Sequence, residues 1–441
     1  MHTESGAASS AIQLADFDID SATGFVPSTA PVARLEPAWE VWELLLEEAT
    51  RRKFCLGATL GLSDSEREKS ELWRARVRTT AVLPITDLKC SEVVMRRAHS
   101  VLTFLLHFYV HTLPPEADVV IPASISLPLL QVSAQLEVPP VMAYSDDIMY
   151  NWALQEPTTD GVPTTDNLRS LASFTGAADE EAFYLAPVRV ELRGAEALRI
   201  IQSVLDDLAA DSPEITARTT DALTHLVPVI KLLREELLGV RTGCDPDFFY
   251  RNIRPWLVGA GSTDDRPWIF EGIERDPTLT QPKYLSGSSA AQSPLIQALD
   301  VFLGVQGAPS GPVDAASMSL STPFAQRMRV YMARRHRALL HRLESQENRT
   351  LRSFVAGAQD AALSEAYNSA LRALKEFRDA HMIIVTLYVI GPAKRVAREE
   401  AEAQGRNVVV PREDTMKGSA GGDLARLLKD FRDKTMGALI P

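Results

Sequence analysis

The sequence predicts an all-α chain arranged in two helical parts, and three observations carry that expectation. Apolar residues recur at three- and four-residue steps along the longest segments, no strand–helix alternation is present, and no internal repeat appears at solenoid periods. The 441 residues give room for two or three domains of roughly 150 residues each. Apolar residues make up 45% and charged residues 24%, with Gly 23 and Pro 27, so the chain is folded rather than low-complexity.

Charge and cysteine usage narrow the classes of partner. The 46 Lys+Arg against 58 Asp+Glu leave a net charge of −12, which gives no electrostatic reason to bind nucleic acid. Cys55, Cys90 and Cys244 are an odd number, widely spaced, and suit neither a disulfide framework nor a thiolate zinc site. The opening MHTESGAASS lacks the basic and apolar blocks of a signal peptide, and no run of about 18 apolar residues is present to span a bilayer. A cytoplasmic protein with no membrane association, working as a monomer, is expected.

Residues 1–34, rich in Ser, Ala, Pro and Thr, read as an extended, loosely attached arm without helix. A helix is predicted from Pro37, where Trp42, Leu45, Leu46 and Ala49 share one face. A second runs through SEVVMRRAHSVLTFLLHFYVH, capped by Ser91 and stopped by Pro114 and Pro115. The segment VVIPASISLPLLQVSAQLEVPPVMAY carries four prolines and suits short helices and buried loops. Polar TTDGVPTTDNLRS, residues 158–170, marks a boundary, so 35–172 is expected as a small helical domain and 173–441 as a larger one. Within the larger part, a helix is predicted from Ser212, with Leu223, Leu226, Ile230, Leu233 and Leu237 as its core stripe and a kink at Pro228. Residues 258–294 and 391–422 read as long polar connections, the second as a mobile loop.

No Gly-rich phosphate loop, HExxH, GxSxG or paired-cysteine motif occurs, which removes the common hydrolase and nucleotide-binding readings. His107 and His111 lie four apart, on one helix face, and read either as two metal ligands or as core histidines with backbone partners. His381 shares a stripe with Tyr367, Ala370, Leu374, Phe377, Val385 and Tyr388, leading into HMIIVTLYVI, which reads as apolar all round. A buried imidazole there must hydrogen-bond or coordinate something, because leaving it unsatisfied costs roughly 1–3 kcal/mol. An axial haem ligand is one solution and a satisfied core histidine the other.

The stretches PPVMAYSDDIMYNW, FYLAPVRVE, DPDFFYRNIRPWL, WIFEGI, YLSGSSAAQSPLIQALDVFLGVQ, FRDAHMIIVTLYVI and KGSAGGDLARLLKDFRD occur in this order. Together they resemble the indoleamine 2,3-dioxygenase family of haem proteins, from about residue 120 to the C-terminus. TGFVPSTAPVARL is similar to the entry segment of fungal members. The resemblance implies a two-domain all-α fold with haem b in the larger C-terminal domain and His381 as the proximal iron ligand. It implies that Arg378 pairs with a haem propionate, that Asp300 supports the site from behind, and that Val389 touches the haem. Arg254 is implied as the arginine that takes the substrate carboxylate, a role suited to its planar fork. Tyr144, Phe183, Phe249, Tyr250, Leu257, Ser289 and Ser419 are implied as the substrate pocket, with Arg254, Phe249 and Ser289 nearest the chemistry.

The implied reaction inserts both atoms of dioxygen across the indole 2,3 double bond of L-tryptophan, giving N-formylkynurenine, with ferrous haem and a reductant that the sequence does not identify. The sequence departs from the family pattern at Pro187, where Ser is familiar, at Tyr250, a second Phe, and at Asp147, a Cys. Its SAGG loop replaces a TGGT-like one. These changes keep open a haem-binding homologue that acts on a different indole derivative or has weak dioxygenase activity, and His107 with His111 keep open a non-haem helical interaction or metal protein.

Overall fold

The computed structural model describes residues 12–159, 161–210, 213–261, 266–305, 322–345, 350–403, 417–419, 421 and 423–441. Residues 1–11 of the expected arm and 404–416 of the expected loop lie outside them. The rest of the arm is not loosely attached. It holds a 3-10 turn at Leu14–Phe17, and Ile12, Leu14, Ile19, Phe25 and Val26 are buried in the common core. These apolar residues are spaced without a helical or strand period, so they act as separate anchors that periodicity cannot detect.

Helix α1 (Glu40–Arg52) buries Trp42, Leu45, Leu46 and Ala49, the expected stripe. Helix α2 (Asp64–Thr79) opens on a reciprocal capping box between Ser63 and Glu66, a start signal the sequence analysis passed over. Helix α3 (Glu92–His111) is capped by Ser91, whose Oγ accepts from Val94 N at 3.4 Å, and is buried continuously from Met95 to Val110. Helix α4 (Ala123–Leu136) keeps Pro128 inside it and packs on α3.

Four three-residue strands interrupt the helices, too short to show a period in sequence. Strand β1 (Val119–Ile121) pairs in parallel with β4 (Trp268–Phe270), and β2 (Trp152–Leu154) pairs antiparallel with β3 (Leu168–Ser170) across the polar 158–167 stretch. Strand β4 lies within 258–294, which sequence alone read as loop.

Long helices build the remainder. Helix α5 (Ala178–Ala210) and α6 (Ile215–Gly243) each carry a proline inside, Pro187 and Pro228. After the single turn α7 (Pro246–Phe248) come α8 (Pro294–Phe302), α9 (Phe324–Arg329), α10 (Arg334–Glu344) and α11 (Leu351–Ala358). Helix α12 (Ala361–Val385) leads through a turn into α13 (Gly391–Ala403), and α14 (Leu424–Gly437) ends the fold. Helix α6 packs against both α5 and α12, and α14 lies on α12. Residues 391–403 are thus helix rather than loop, held by ion pairs of Arg395 with Asp247 and Arg251 with Glu399.

The run from Ala361 to Ala403 is long and apolar enough to cross a membrane by length and composition alone, and here it packs on α6 and α14 as a core helix. Its middle is apolar on both faces, as expected, but not buried on both: Ile383 and Leu387 are exposed, while Val385 and Tyr388 face inward.

Candidate functional site

Three π turns converge on one place. They are Ser145–Met149, Phe249–Ile253 and Thr386–Ile390, and the last widens the run from α12 into α13 by one residue. The first presents Asp147 and Ile148, the second Phe249 with Arg254 just after it, and the third Tyr388 and Val389, all to a single cavity. The first turn is pinned from below, since Asp146 Oδ1 meets His99 Nδ1 at 2.6 Å and Oδ2 accepts from Ala143 N at 2.9 Å. His99 Nε2 meets Ser133 Oγ at 3.1 Å. This serine–histidine–aspartate series is buried and lines no part of the cavity, so it is scaffolding.

The cavity encloses about 1270 Å³ between atoms, counting its mouth, and a second of about 840 Å³ adjoins it through the shared walls Tyr144, Pro187, Leu237, Ala290, Ala291, His381, Leu428 and Phe431. The larger one gathers Tyr144, Phe183, Phe249, Arg254, Leu257, Ser289, His381, Val389 and Ser419, residues far apart in sequence that the sequence analysis had singled out. Arg378 and Asp300 line the adjoining space with His381. Tyr250 lines neither; its ring lies 5.5 Å beneath the Arg254 guanidinium and packs against the small cluster of Val385, Ile390, Ala393 and Leu428. The part of α14 that closes the cavity, Leu424, Leu427, Leu428 and Phe431, had not been assigned a role, because its side chains read as an ordinary amphipathic stripe.

The walls are aromatic where they are widest. Phe183 and Phe249 stand 4.4 Å apart between ring centroids, and Tyr388 meets Phe249 edge-on at 5.7 Å. Tyr388 is fixed because its hydroxyl donates to Cys244 O at 2.7 Å. Pro187, inside α5, offers the cavity no side-chain donor.

The polar groups fall into three clusters. His381 forms no side-chain hydrogen bond among the described residues, and its imidazole is pushed down to about 4, by burial first and by the Arg378 charge second. It is therefore neutral near pH 7, with ring nitrogens available to a ligand. Arg378 is buried: its guanidinium is held by Asp300, by the Phe431 carbonyl and by Thr435 Oγ1, and lies 5.7 Å from the Phe431 ring. It is thus tied into the floor and is not a solvated surface arginine.

At the mouth, Arg254 is half-buried, donates to Lys417 O at 2.7 Å, and forms no ion pair among the described residues. Burial lowers its pKa, which leaves it charged. Ser419 donates to Ser288 O, tying the C-terminal segment to the 286–293 turn. Ser289 caps that turn, accepting from Ala291 N at 3.4 Å.

The third cluster is Asp147 with Ser288, a pair the sequence analysis had noted only in part. Ser288 Oγ donates to Asp147 Oδ1 at 2.8 Å, while Asp147 Oδ2 has no partner among the described residues. Burial raises the Asp147 carboxyl well above the usual range, with Asp146 and Glu180 adding to the rise against the Ser288 hydrogen bond.

His107 and His111 are core histidines. His107 Nδ1 donates to Trp256 O at 2.6 Å while Nε2 accepts from Met142 N at 3.3 Å, and His111 Nε2 donates to Val258 O at 3.0 Å. No group of three His, Cys, Asp or Glu suited to a metal ion occurs among the described residues.

Comparison with known proteins agrees with this geometry. The family model described as indoleamine 2,3-dioxygenase matches residues 13–438. The chain is 32% identical to the indoleamine 2,3-dioxygenase of Saccharomyces cerevisiae over 365 residues, 78% of each chain. It is 29% identical to indoleamine 2,3-dioxygenase nanC of Aspergillus nanangensis over 441 residues, 97% of each. It is also 26% identical to 6-hydroxytryptophan 2,3-dioxygenase fscD of Fusarium equiseti over 397 residues, 89% of each. With nearly the whole chain matched and the family's motifs meeting around one cavity, the protein belongs to the indoleamine 2,3-dioxygenase family of haem-dependent dioxygenases and is an oxidoreductase of that class.

Proposed function

We propose that this protein holds haem b through His381 and inserts dioxygen across the indole 2,3 double bond of L-tryptophan, releasing N-formylkynurenine. The observation that carries the reading is His381 itself, a neutral imidazole without a side-chain hydrogen bond among the described residues, on the wall of an apolar cavity.

The residues present fit the cofactor. A cavity walled by Ile384, Val385, Val389, Leu428 and Phe431 suits a flat apolar macrocycle. Arg378 lies within the adjoining space and gives a carboxylate of that macrocycle a charge-assisted donor. Bound haem supplies ferrous iron as the site where dioxygen is taken up.

The protein's part is then binding and exclusion. Arg254 takes the amino-acid carboxylate at the mouth through its fork, and its remaining donors are free to do so without breaking an ion pair among the described residues. The Phe183–Phe249 pair holds the indole in plane, and the α14 side chains shut out water. Both oxygen atoms enter the product, so the net reaction neither consumes nor releases protons, and Pro187 need not supply one.

The test is the absorption spectrum of the reduced protein with and without L-tryptophan, followed by assay of N-formylkynurenine. A Soret band that shifts on adding tryptophan, with product formed, is expected; His381→Ala should lose the band's proximal-histidine signature. A fully reduced, haem-loaded protein that makes no product from L-tryptophan would refute the substrate assignment. The Asp147–Ser288 pair favours a second reading, an indole derivative in place of tryptophan itself, and the Fusarium relative is named for such a substrate.

A further inference from the structure

The cavity wall holds one feature that tryptophan leaves unanswered. The cavity that Asp147 lines is largely apolar, with Ile148, Phe183 and Leu257 among its walls beside Ser288 and Ser289, yet the carboxyl is 1% exposed, with one oxygen bonded to Ser288 and the other without a partner among the described residues. A buried polar group without a partner is costly, and a native fold keeps one where a ligand completes it. The unsubstituted benzo ring of tryptophan offers only C–H bonds.

We propose that Asp147 and Ser288 form a hydrogen-bonding subsite for a hydroxyl group on the benzo ring of the indole, so that the enzyme's preferred substrates are ring-hydroxylated tryptophans. The proposal rests on the dioxygenase reading above and names the substrate class of that same site.

Orientation supports it. The half-buried mouth holds Arg254, the group suited to the carboxylate, whereas Asp147 is fully buried on the π turn Ser145–Met149. An amino acid anchored by its carboxylate at the mouth points its ring inward, toward the buried carboxyl. Chemistry then separates the two polar groups an indole could bring. The ring N–H only donates, and burial raises the Asp147 carboxyl toward its protonated form, whose O–H needs an acceptor. A ring hydroxyl accepts that bond and can donate in turn, so it satisfies Oδ2 in either protonation state. Ser288 spends its proton on Oδ1, which leaves Oδ2 as the oxygen without a partner among the described residues.

The experiment compares kcat/KM for L-tryptophan and for 4-, 5-, 6- and 7-hydroxytryptophan on the haem-loaded protein, wild type against Asp147→Val, Asp147→Asn and Ser288→Ala. Dissociation constants of the same compounds are measured by calorimetry on the ferric protein without dioxygen. At least one hydroxytryptophan should be preferred about tenfold or more by both readouts, as expected where a site is built to bond a hydroxyl. Asp147→Val should bring that ratio close to one, Ser288→Ala should lower it, and Asp147→Asn, which keeps the shape and a donor, should retain most of it.

A wild-type ratio within twofold for every isomer overturns the proposal, as does a preference that Asp147→Val leaves intact. Should Asp147→Val fail to fold, Ser288→Ala and Asp147→Asn decide by the same ratios. No turnover of any indole by the reduced protein sinks the dioxygenase reading instead, and the calorimetric ratios still judge the subsite. Turnover with unchanged ratios sinks the subsite alone.

Discussion

Arg254 illustrates how little of a residue's role its neighbours in sequence disclose. Beside Arg251 it reads as a second surface arginine, yet it lies half-buried over the Tyr250 ring with a backbone carbonyl as its hydrogen-bond acceptor. Bidentate recognition of a carboxylate needs the planar fork that lysine lacks. Arg254→Lys is therefore expected to raise KM for tryptophan about tenfold or more while moving kcat less, which steady-state kinetics will show. His381 was legible earlier, because a lone imidazole in an apolar helical stripe already demanded a partner. Asp147 was only half legible: the sequence shows an acid in an apolar stretch, and nothing in it shows that Ser288, 141 residues away, comes to bond it.

Among the imidazoles, His336 tests the electrostatics of the core. It is 2% exposed beneath Phe25, and burial pushes it down to about 3. Its folded-state pKa is depressed below the unfolded value of 6.5, so the neutral ring favours the fold above pH 6.5 and that contribution is lost as pH falls through the window from 6.5 toward 3. Between pH 7.5 and 5.0 the loss from this group is about 2 kcal/mol. His336→Leu should accordingly lose less stability on acidification than the wild type over that range, measured by urea unfolding at both pH values. An equal loss in the two proteins would show that His336 does not titrate this way.

At the scale of elements, the helices with strong periodicity, α1, α3, α6 and α12, were readable because their apolar stripes are long enough to average out exceptions. The three-residue strands and the buried arm were not, since each is defined by contacts with distant chain. The turn 286–293 shows why loops can matter as much. A Cβ on Gly287 would sit 2.0 Å from Leu257 O and 2.7 Å from Gly259 N, both backbone atoms that cannot swing aside. Gly287→Ala must therefore shift the turn that carries Ser288 and Ser289. A drop in kcat/KM of at least tenfold is expected, with a smaller change in melting temperature; unchanged kinetics would mean that the turn adapts without consequence for the site.

For the whole molecule, one continuous core joins the arm, α3, the α5–α6–α12 group and Ala438 just after α14, and the cavity lies where α5, α12 and α14 meet the three π turns. The motifs brought out His381 and Arg254, and the fold sets both on the walls of the cavity. What only folding reveals is the closing wall: Leu424, Leu428 and Phe431 come from the last helix, and Arg378 is held against that helix by Phe431 and Thr435.

One π turn carries a consequence for how this chain can change. Thr386–Ile390, between α12 and α13, is a helix with one residue too many, and one residue of α-helix is about 100° of rotation. Deleting a single residue from Thr386–Ile390 would restore ordinary winding and turn Tyr388 or Val389 away from the cavity, although hydropathy and composition would hardly differ. Substitutions can retune this site gradually, whereas single-residue insertions and deletions in this turn are all-or-none, so relatives that retain the chemistry should keep their length at this place even where their identities drift.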